Sequence, residues 1–376
     1  MNYIVNLGDR LLCFYYVEGG GISYRVFENG KWGAATTLLK EALEHYSVTL
    51  DEKGHVFLFC QDSKGDIILC TEQEASEWDR RVILQNESGD IVPVQMHPMV
   101  TEEGLTLIYN VPSGNKGTQN IVCQKRNKNG IWHSPEQIDS FIPMRREMFC
   151  VQPVSAKHWL IFYQSGQPMR PEQQLGYREI TLERRGNFHA FQANAYNITD
   201  YSFLTTYDSV HVLYIVNSLF SSQLIYRKKD GAQFGSSIVL WEGQQPENCL
   251  LFLVKQTLYA TYMYRGHLYY MTSTDQGVSF SRPMRYRNKF CLRPVKARYL
   301  SRAPQQIQKF FCRELYTDSE SAWDIQLLPE LYEDFYPTPL KQSTTEDDKV
   351  TELIKLNRQL EIRCAELEHE LKTLRE

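Results

Sequence analysis

Short apolar and β-branched runs, bounded by Gly, Asn, Asp and Ser, recur along most of the chain and read as strands. They come in ordered pairs. The first member is the more apolar: LLCFYY, VFLFC, LTLIY, WLIFYQ, VHVLYIV, TLYATYMY and, more weakly, ARYLS. Runs of that kind are expected where a strand is covered on both faces. The second member is ISYRVF (22–27), IILCTE (67–72), NIVCQKR (120–126), LGYREITL (175–182), QLIYRKK (223–229), LYYMTST (268–274) or KFFCREL (309–315). A turn-rich segment follows each and ends on a large aromatic: Trp32, Trp78, Trp132, Phe188, Phe234, Phe280 and Trp323. AATTLL, RVILQ and SIVLWEG then supply a further strand to three of the units, and YIVNLG at 3–8 offers one to the first.

The aromatics are spaced 46, 54, 56, 46, 46 and 43 residues apart. A period of about 40 to 50 residues per four-stranded sheet is that of a propeller blade. Seven units fit between residues 2 and 331, and the fold expected is all-β: a seven-bladed β-propeller over 1–334. The competing architecture is a pair of β-sandwiches whose turns coincide. PSGNKGTQ and QSGQPMRPEQQ, rich in turn formers, account for the two longer intervals as loop insertions.

After Phe335 the pattern changes. YPTPLKQSTTEDDK carries two prolines and a polar run, and residues 335–349 read as a linker. Thr344 or Thr345 can cap the helix that follows, with Glu346, Asp347 and Asp348 at its positive end. Over 350–376 a heptad runs unbroken: Val350, Asn357, Cys364 and Leu371 at a, and Leu353, Leu360, Leu367 and Leu374 at d. Leucine at every d with one asparagine at a favours a parallel dimer, because the two Asn side chains bond only in register. Arg363 faces Glu368 of a second copy, and Glu370 faces Arg375. A helix docked on its own body, or a trimer, is the alternative that Ile354 and Leu356 leave open.

Composition adds little. At 376 residues, 42% hydrophobic and 23% charged, the chain is globular in character, and 23 Tyr suit strands. A net charge of −4 gives no global attraction to nucleic acid or to an acidic membrane, and neither is an expected partner. The N-terminal residues lack the pattern of a signal peptide, and nine Cys without a CxxC pair suit a reducing compartment. The expected location is cytoplasmic.

At Ser273-Thr274-Asp275-Gln276-Gly277-Val278-Ser279-Phe280 the sixth turn resembles the aspartate box, S-x-D-x-G-x-T-W, of sialidase-type propellers. Degenerate forms precede Trp32 and Phe234. The resemblance implies a structural role: Ser273 and Asp275 hold the turn, Gly277 takes a left-handed conformation, and Phe280 packs between sheets. That family has six blades and needs three convergent arginines, a Tyr–Glu pair and an acid/base carboxylate. Arg25, Arg178 and Arg227 follow a tyrosine on their strands but stand at unequal distances from their aromatics, so no catalytic residue is assigned.

The nine histidines lack HxH or HExxH spacing, and no metal or other cofactor is expected. Gly19-Gly20-Gly21 reads as a hairpin turn. Residues 282–302 hold eight basic side chains and no acid, with Arg285, Arg287 and Arg293 as candidate anion contacts among interleaved aromatics. Seven acids over 314–334 stand ready to neutralise them. The function expected is a non-enzymatic scaffold, its propeller holding a protein or glycan and its coil making a homodimer. The alternative is a sialidase-like glycoside hydrolase or lyase acting at the axial mouth.

Overall fold

The computed structural model describes residues 1–326 except positions 52, 74–76, 88, 102–103, 116, 144–147, 156, 168–169, 182–183, 193–197, 207–208, 219, 232, 287–293 and 303–309. The linker and the heptad positions Val350, Leu353, Asn357, Leu360, Cys364, Leu367, Leu371 and Leu374 lie outside the described residues, as do Arg287 and Arg293. Every regular element among the described residues is a β-strand.

The first six sequence units fold as antiparallel meanders. In the second, Ala42–Leu50, Val56–Asp62, Ile67–Glu72 and Trp78–Leu84 pair in chain order. The more apolar run becomes the second strand, and the run before the aromatic the third. Leu11–Val17 and Ser209–Asn217 are buried along most of their length on both faces. Such burial requires a neighbour on each side of the sheet, and alternation is lost for that reason. In the hairpin of Leu11–Val17 and Gly21–Glu28 the left-handed Gly21 (φ +74°) comes so close to the Leu39 carbonyl that any Cβ there would sit 2.1 Å from its oxygen.

Six apolar clusters join the meanders in sequence. The first and second units share Leu12, Phe14, Val48 and Leu58, and the second and third share Phe59, Leu69, Leu107 and Tyr109. Ile108 meets Trp159 and Ile161; Phe162 meets Phe203 and Tyr214; Leu213 and Tyr226 meet Leu251 and Tyr262. The last cluster returns to the start, gathering Leu250 and Met263, Ala297 and Tyr316, and Ile4 and Leu11. Sheets stacked in sequence, with the last closing on the first, form a β-propeller. Each repeat aromatic packs into the cluster its unit shares with the preceding one: Trp32, Trp78, Trp132, Phe188, Phe234 and Phe280 in turn, with Trp323 in the closing cluster. The repeat spacing is thus the spacing of inter-sheet wedges.

The seventh unit departs from the expected phase. ARYLS lies in an inner strand, Pro294–Ser301, not in a second strand, and KFFCREL is split by a bend at Arg313. Phe310–Cys312 pairs with Glu247–Val254 of the sixth unit, and Glu314–Asp318 pairs with Pro294–Ser301. Pro294–Ser301 also runs parallel to the N-terminal strand Asn2–Asn6, which pairs antiparallel with Leu11–Val17. The seventh unit therefore extends the first unit's sheet. A run split between two partners loses the uniform apolar pattern by which its siblings are read.

Candidate functional site

The first strands of the units, Asn2–Asn6, Ala42–Leu50, Met96–Thr101, Phe149–Ser155 and Pro294–Ser301, converge on an axial channel. One chamber of about 290 Å³ is lined by Ser47, Thr49, His97, Gln152, Trp159, Arg298 and Arg313 among others. A second, of about 400 Å³, is lined by Glu44, His45, Gln95 and Met96, and shares Tyr3, Ser47, His97 and Arg298 with the first. These strands mix small polar residues with apolar ones because one flank packs on the neighbouring sheet while the other faces the axis. Volumes of this order suit a small ligand or one projecting side chain.

Polar groups along the wall, and others on the inner strands beyond it, are tied down from several units. The Tyr3 hydroxyl donates to Ser47 Oγ at 3.1 Å, and Ser47 Oγ donates to the Met96 carbonyl. Gln95 Nε2 donates to the Phe149 carbonyl at 2.5 Å, and the His97 ring stands 4.8 Å from that of Phe149. Lys296 Nζ donates to Asp200 Oδ1 at 2.8 Å and to the Tyr201 carbonyl at 2.9 Å, while the Cys249 N–H donates to Asp200 Oδ2 at 2.7 Å. Burial alone would lower the Lys296 ammonium, but the groups around it, Asp200 foremost and Glu314 with it, together outweigh burial and hold the group above its ordinary range. Arg298 approaches Glu314 Oε1 at 3.6 Å, and Ser202 Oγ donates to Glu314 Oε2 at 3.1 Å.

Arg313 differs. Its Nε is buried without a hydrogen-bond partner, and its guanidinium lies 5.4 Å from the Phe311 ring centre. Burial pushes the group down to about 10, and the Arg298 charge acts in the same direction, so it remains cationic at neutral pH. Gln152, 2% exposed, donates through Nε2 to Cys150 Sγ at 3.2 Å and leaves Oε1 unsatisfied on the same chamber wall. Sequence reasoning passed over both residues. Arg313 stands inside a run read as one strand, and Gln152 in an inner strand without a strong apolar signal; two polar residues in the fourth and seventh units carry no shared motif.

The residues singled out in the sequence are dispersed. Arg285 is exposed on the short strand Met284–Arg285, its guanidinium 3.0 and 3.1 Å from the two ring nitrogens of His267. The basic stretch does not present one continuous face, since Lys296 and Arg298 turn inward to Asp200 and Glu314. Arg25 lies 3.9 Å over the Trp323 ring, and Arg178 bonds Asp139 of the third unit at 2.6 and 3.0 Å, so these arginines brace neighbouring sheets rather than meet. In the sixth turn Asp275 Oδ1 accepts from Ser273 Oγ at 2.7 Å and from the backbone of Val278 and Ser279 at 3.1 and 2.9 Å. Hydrogen bonds from the Ser279 hydroxyl and backbone, and from Ser273, hold the Asp275 carboxyl well below the usual carboxylate range. Gly277 is left-handed (φ +87°) and lies under the Tyr226 hydroxyl, and Phe280 meets the Tyr226 ring edge-on at 4.8 Å. No group of three or more metal-ligating side chains gathers among the described residues.

No family model matches the sequence, and no curated protein matches it. Among solved structures, AofleA from Arthrobotrys oligospora is similar at 9% identity, covering 76% of this chain and 86% of its own, with a TM-score of 0.48. A fungal lectin from Aleuria aurantia, described as a six-bladed β-propeller with a novel fucose recognition mode, is similar at 10% identity, 75% and 94% coverage and a TM-score of 0.44. The Nup133 β-propeller domain of Vanderwaltozyma polyspora is similar at 9% identity, 80% and 89% coverage and a TM-score of 0.43. Likeness this remote attaches no ligand or partner to the chain.

Proposed function

We propose that the chain is a non-enzymatic binding scaffold: a seven-bladed propeller that holds a protein or glycan at its axial channel and is made bivalent by a parallel coiled coil over 350–376. The observation that carries the reading is the two-chambered channel, lined by Trp159, His97, Gln152 and two arginines. A rigid concave wall with an aromatic and a few polar groups is the usual make-up of a binding site. Glycoside hydrolysis works through two carboxylates about 5 to 10 Å apart, and Glu44 is the one carboxylate in the described lining of the two chambers. The count of seven rests on the seven repeat aromatics of the sequence, the strands of the seventh unit lying in the first unit's sheet. A reducing cytoplasm suits the buried free thiols of Cys13, Cys60, Cys123 and Cys249.

Filling the channel tests the reading. Thr49 lines the chamber from the second unit, and Thr49→Trp should reduce retention of glycans on an array, or of a captured protein partner, by at least about tenfold, the equivalent of 1.4 kcal/mol. Overpacking costs about 1 to 3 kcal/mol, so the thermal midpoint is measured alongside. Retention unchanged in a folded Thr49→Trp protein places binding elsewhere.

A further inference from the structure

A half-buried guanidinium whose Nε is fully buried without a hydrogen-bond partner, and which has no ionic partner, is a costly arrangement, because desolvation is not offset by an opposite charge. Arg25 and Arg227 also carry a buried Nε without a partner, yet each is otherwise engaged. Arg25 donates to the Gly33 carbonyl at 3.1 Å and stacks on Trp323, and Arg227 hydrogen-bonds Tyr214. Arg313 has only the face of Phe311 among the described residues. The adjacent carboxylate of Glu314 is turned to Arg298 and Ser202. The neighbouring Cys312 supplies no negative charge, since burial pushes its thiol well above its ordinary range.

The orphaned acceptor Gln152 Oε1 lines the same chamber as Arg313 and Arg298. An occupant that satisfied the wall would bring an oxyanion to the guanidinium and a hydroxyl to the amide oxygen. Guanidinium groups pair with carboxylate and phosphate in fixed, often bidentate geometry. We propose that the inner chamber binds a small hydroxylated oxyanion, its anionic group held by Arg313 beside Arg298 and a hydroxyl donated to Gln152. The proposal rests on the channel reading above and names the chemistry of its ligand; a free sugar acid and the acidic end group of a larger glycan present the same group.

Thermal unfolding of the full chain in D-glucuronate, inorganic phosphate and D-glucose, at matched ionic strength, tests it. Glucuronate should raise the midpoint by at least about 2 °C at saturation, phosphate should do so if the oxyanion alone suffices, and glucose should not. Arg313→Met should abolish the rise without lowering the ligand-free midpoint, since an uncompensated charge is removed. Gln152→Glu places a carboxylate on the chamber wall and should raise the ligand-free midpoint while abolishing the glucuronate response. This second variant keeps the test decisive if Arg313→Met fails to fold. A response to none of the anions in the wild-type chain, a response retained in both variants, or a Gln152→Glu protein of lowered midpoint and unchanged response overturns the oxyanion site. Glycan retention lost in Thr49→Trp together with any of those outcomes leaves the channel reading standing and removes only the oxyanion. A glucuronate-coupled resin retained by wild type and not by Arg313→Met assigns the chemistry to a glycan end group, and retention of free glucuronate alone to a small metabolite.

Discussion

At the scale of single residues, His211 ties together two paired strands of the fifth unit's sheet, Ser209–Asn217 and Ser222–Asp230. Its Nδ1 accepts from the Tyr226 hydroxyl at 2.6 Å and its Nε2 lies 3.0 Å from Ser209 Oγ and 3.4 Å from Thr206 Oγ1. Burial keeps the Tyr226 phenol protonated, so it is the donor, and the ring is neutral with its proton on Nε2. Burial, helped by the Lys228 charge, pushes His211 down to about 4. The unfolded histidine takes up its proton near pH 6.5, and the folded one does not until about 4. Between those values the unfolded chain binds the extra proton, and stability falls as pH falls. The expected loss is up to about 3 kcal/mol across that window. Urea midpoints from pH 7 to 5 should therefore decline more steeply in the wild type than in His211→Gln; parallel curves would show that His211 does not titrate in this way.

The strands divide according to what lies on each side of them. Second strands, covered by sheets on both faces, were legible as apolar runs, and the aromatics were legible because each wedges between consecutive sheets at a fixed place. The inner strands were not. Asp200, Ser202 and Lys296 look like solvent-facing residues in a one-dimensional pattern, whereas here they bond between units to residues about 50 to 100 positions away. Lys296 was grouped with an exposed basic patch for that reason, and its partner Asp200 could be found only once the ring had closed. The pair gives a clean measurement. Asp200→Ala should cost about 3 to 5 kcal/mol, because it strands a buried ammonium, while the double change Asp200→Leu with Lys296→Met should recover most of that loss. Urea denaturation of the three variants checks it; a double variant no better than the single one would assign the cost to the lost Cys249 N–H bond instead.

For the whole molecule, the heptad over 350–376 sets the expected assembly. Leu at d and one Asn at a favour a parallel pair, and four heptads are short enough that such pairing is expected to depend on concentration. Light scattering of the full chain against a version ending at Lys341 should give twofold different masses at high micromolar concentration, converging on dilution. Equal masses would leave each propeller single and remove the avidity that two linked sites provide.

The ring itself is locked by the parallel ladder that joins Asn2 to Ala297 and Asn6 to Ser301. A ribosome adding about 5 to 20 residues per second delivers the first of those strands at least about fifteen seconds before the second. Throughout that interval the inner edge of the first sheet has its amides and carbonyls open to any strand that arrives. The nascent chain is therefore most exposed to mispairing just before its final sheet emerges, and the stretch around residues 294–301 acts as the clasp that ends the danger.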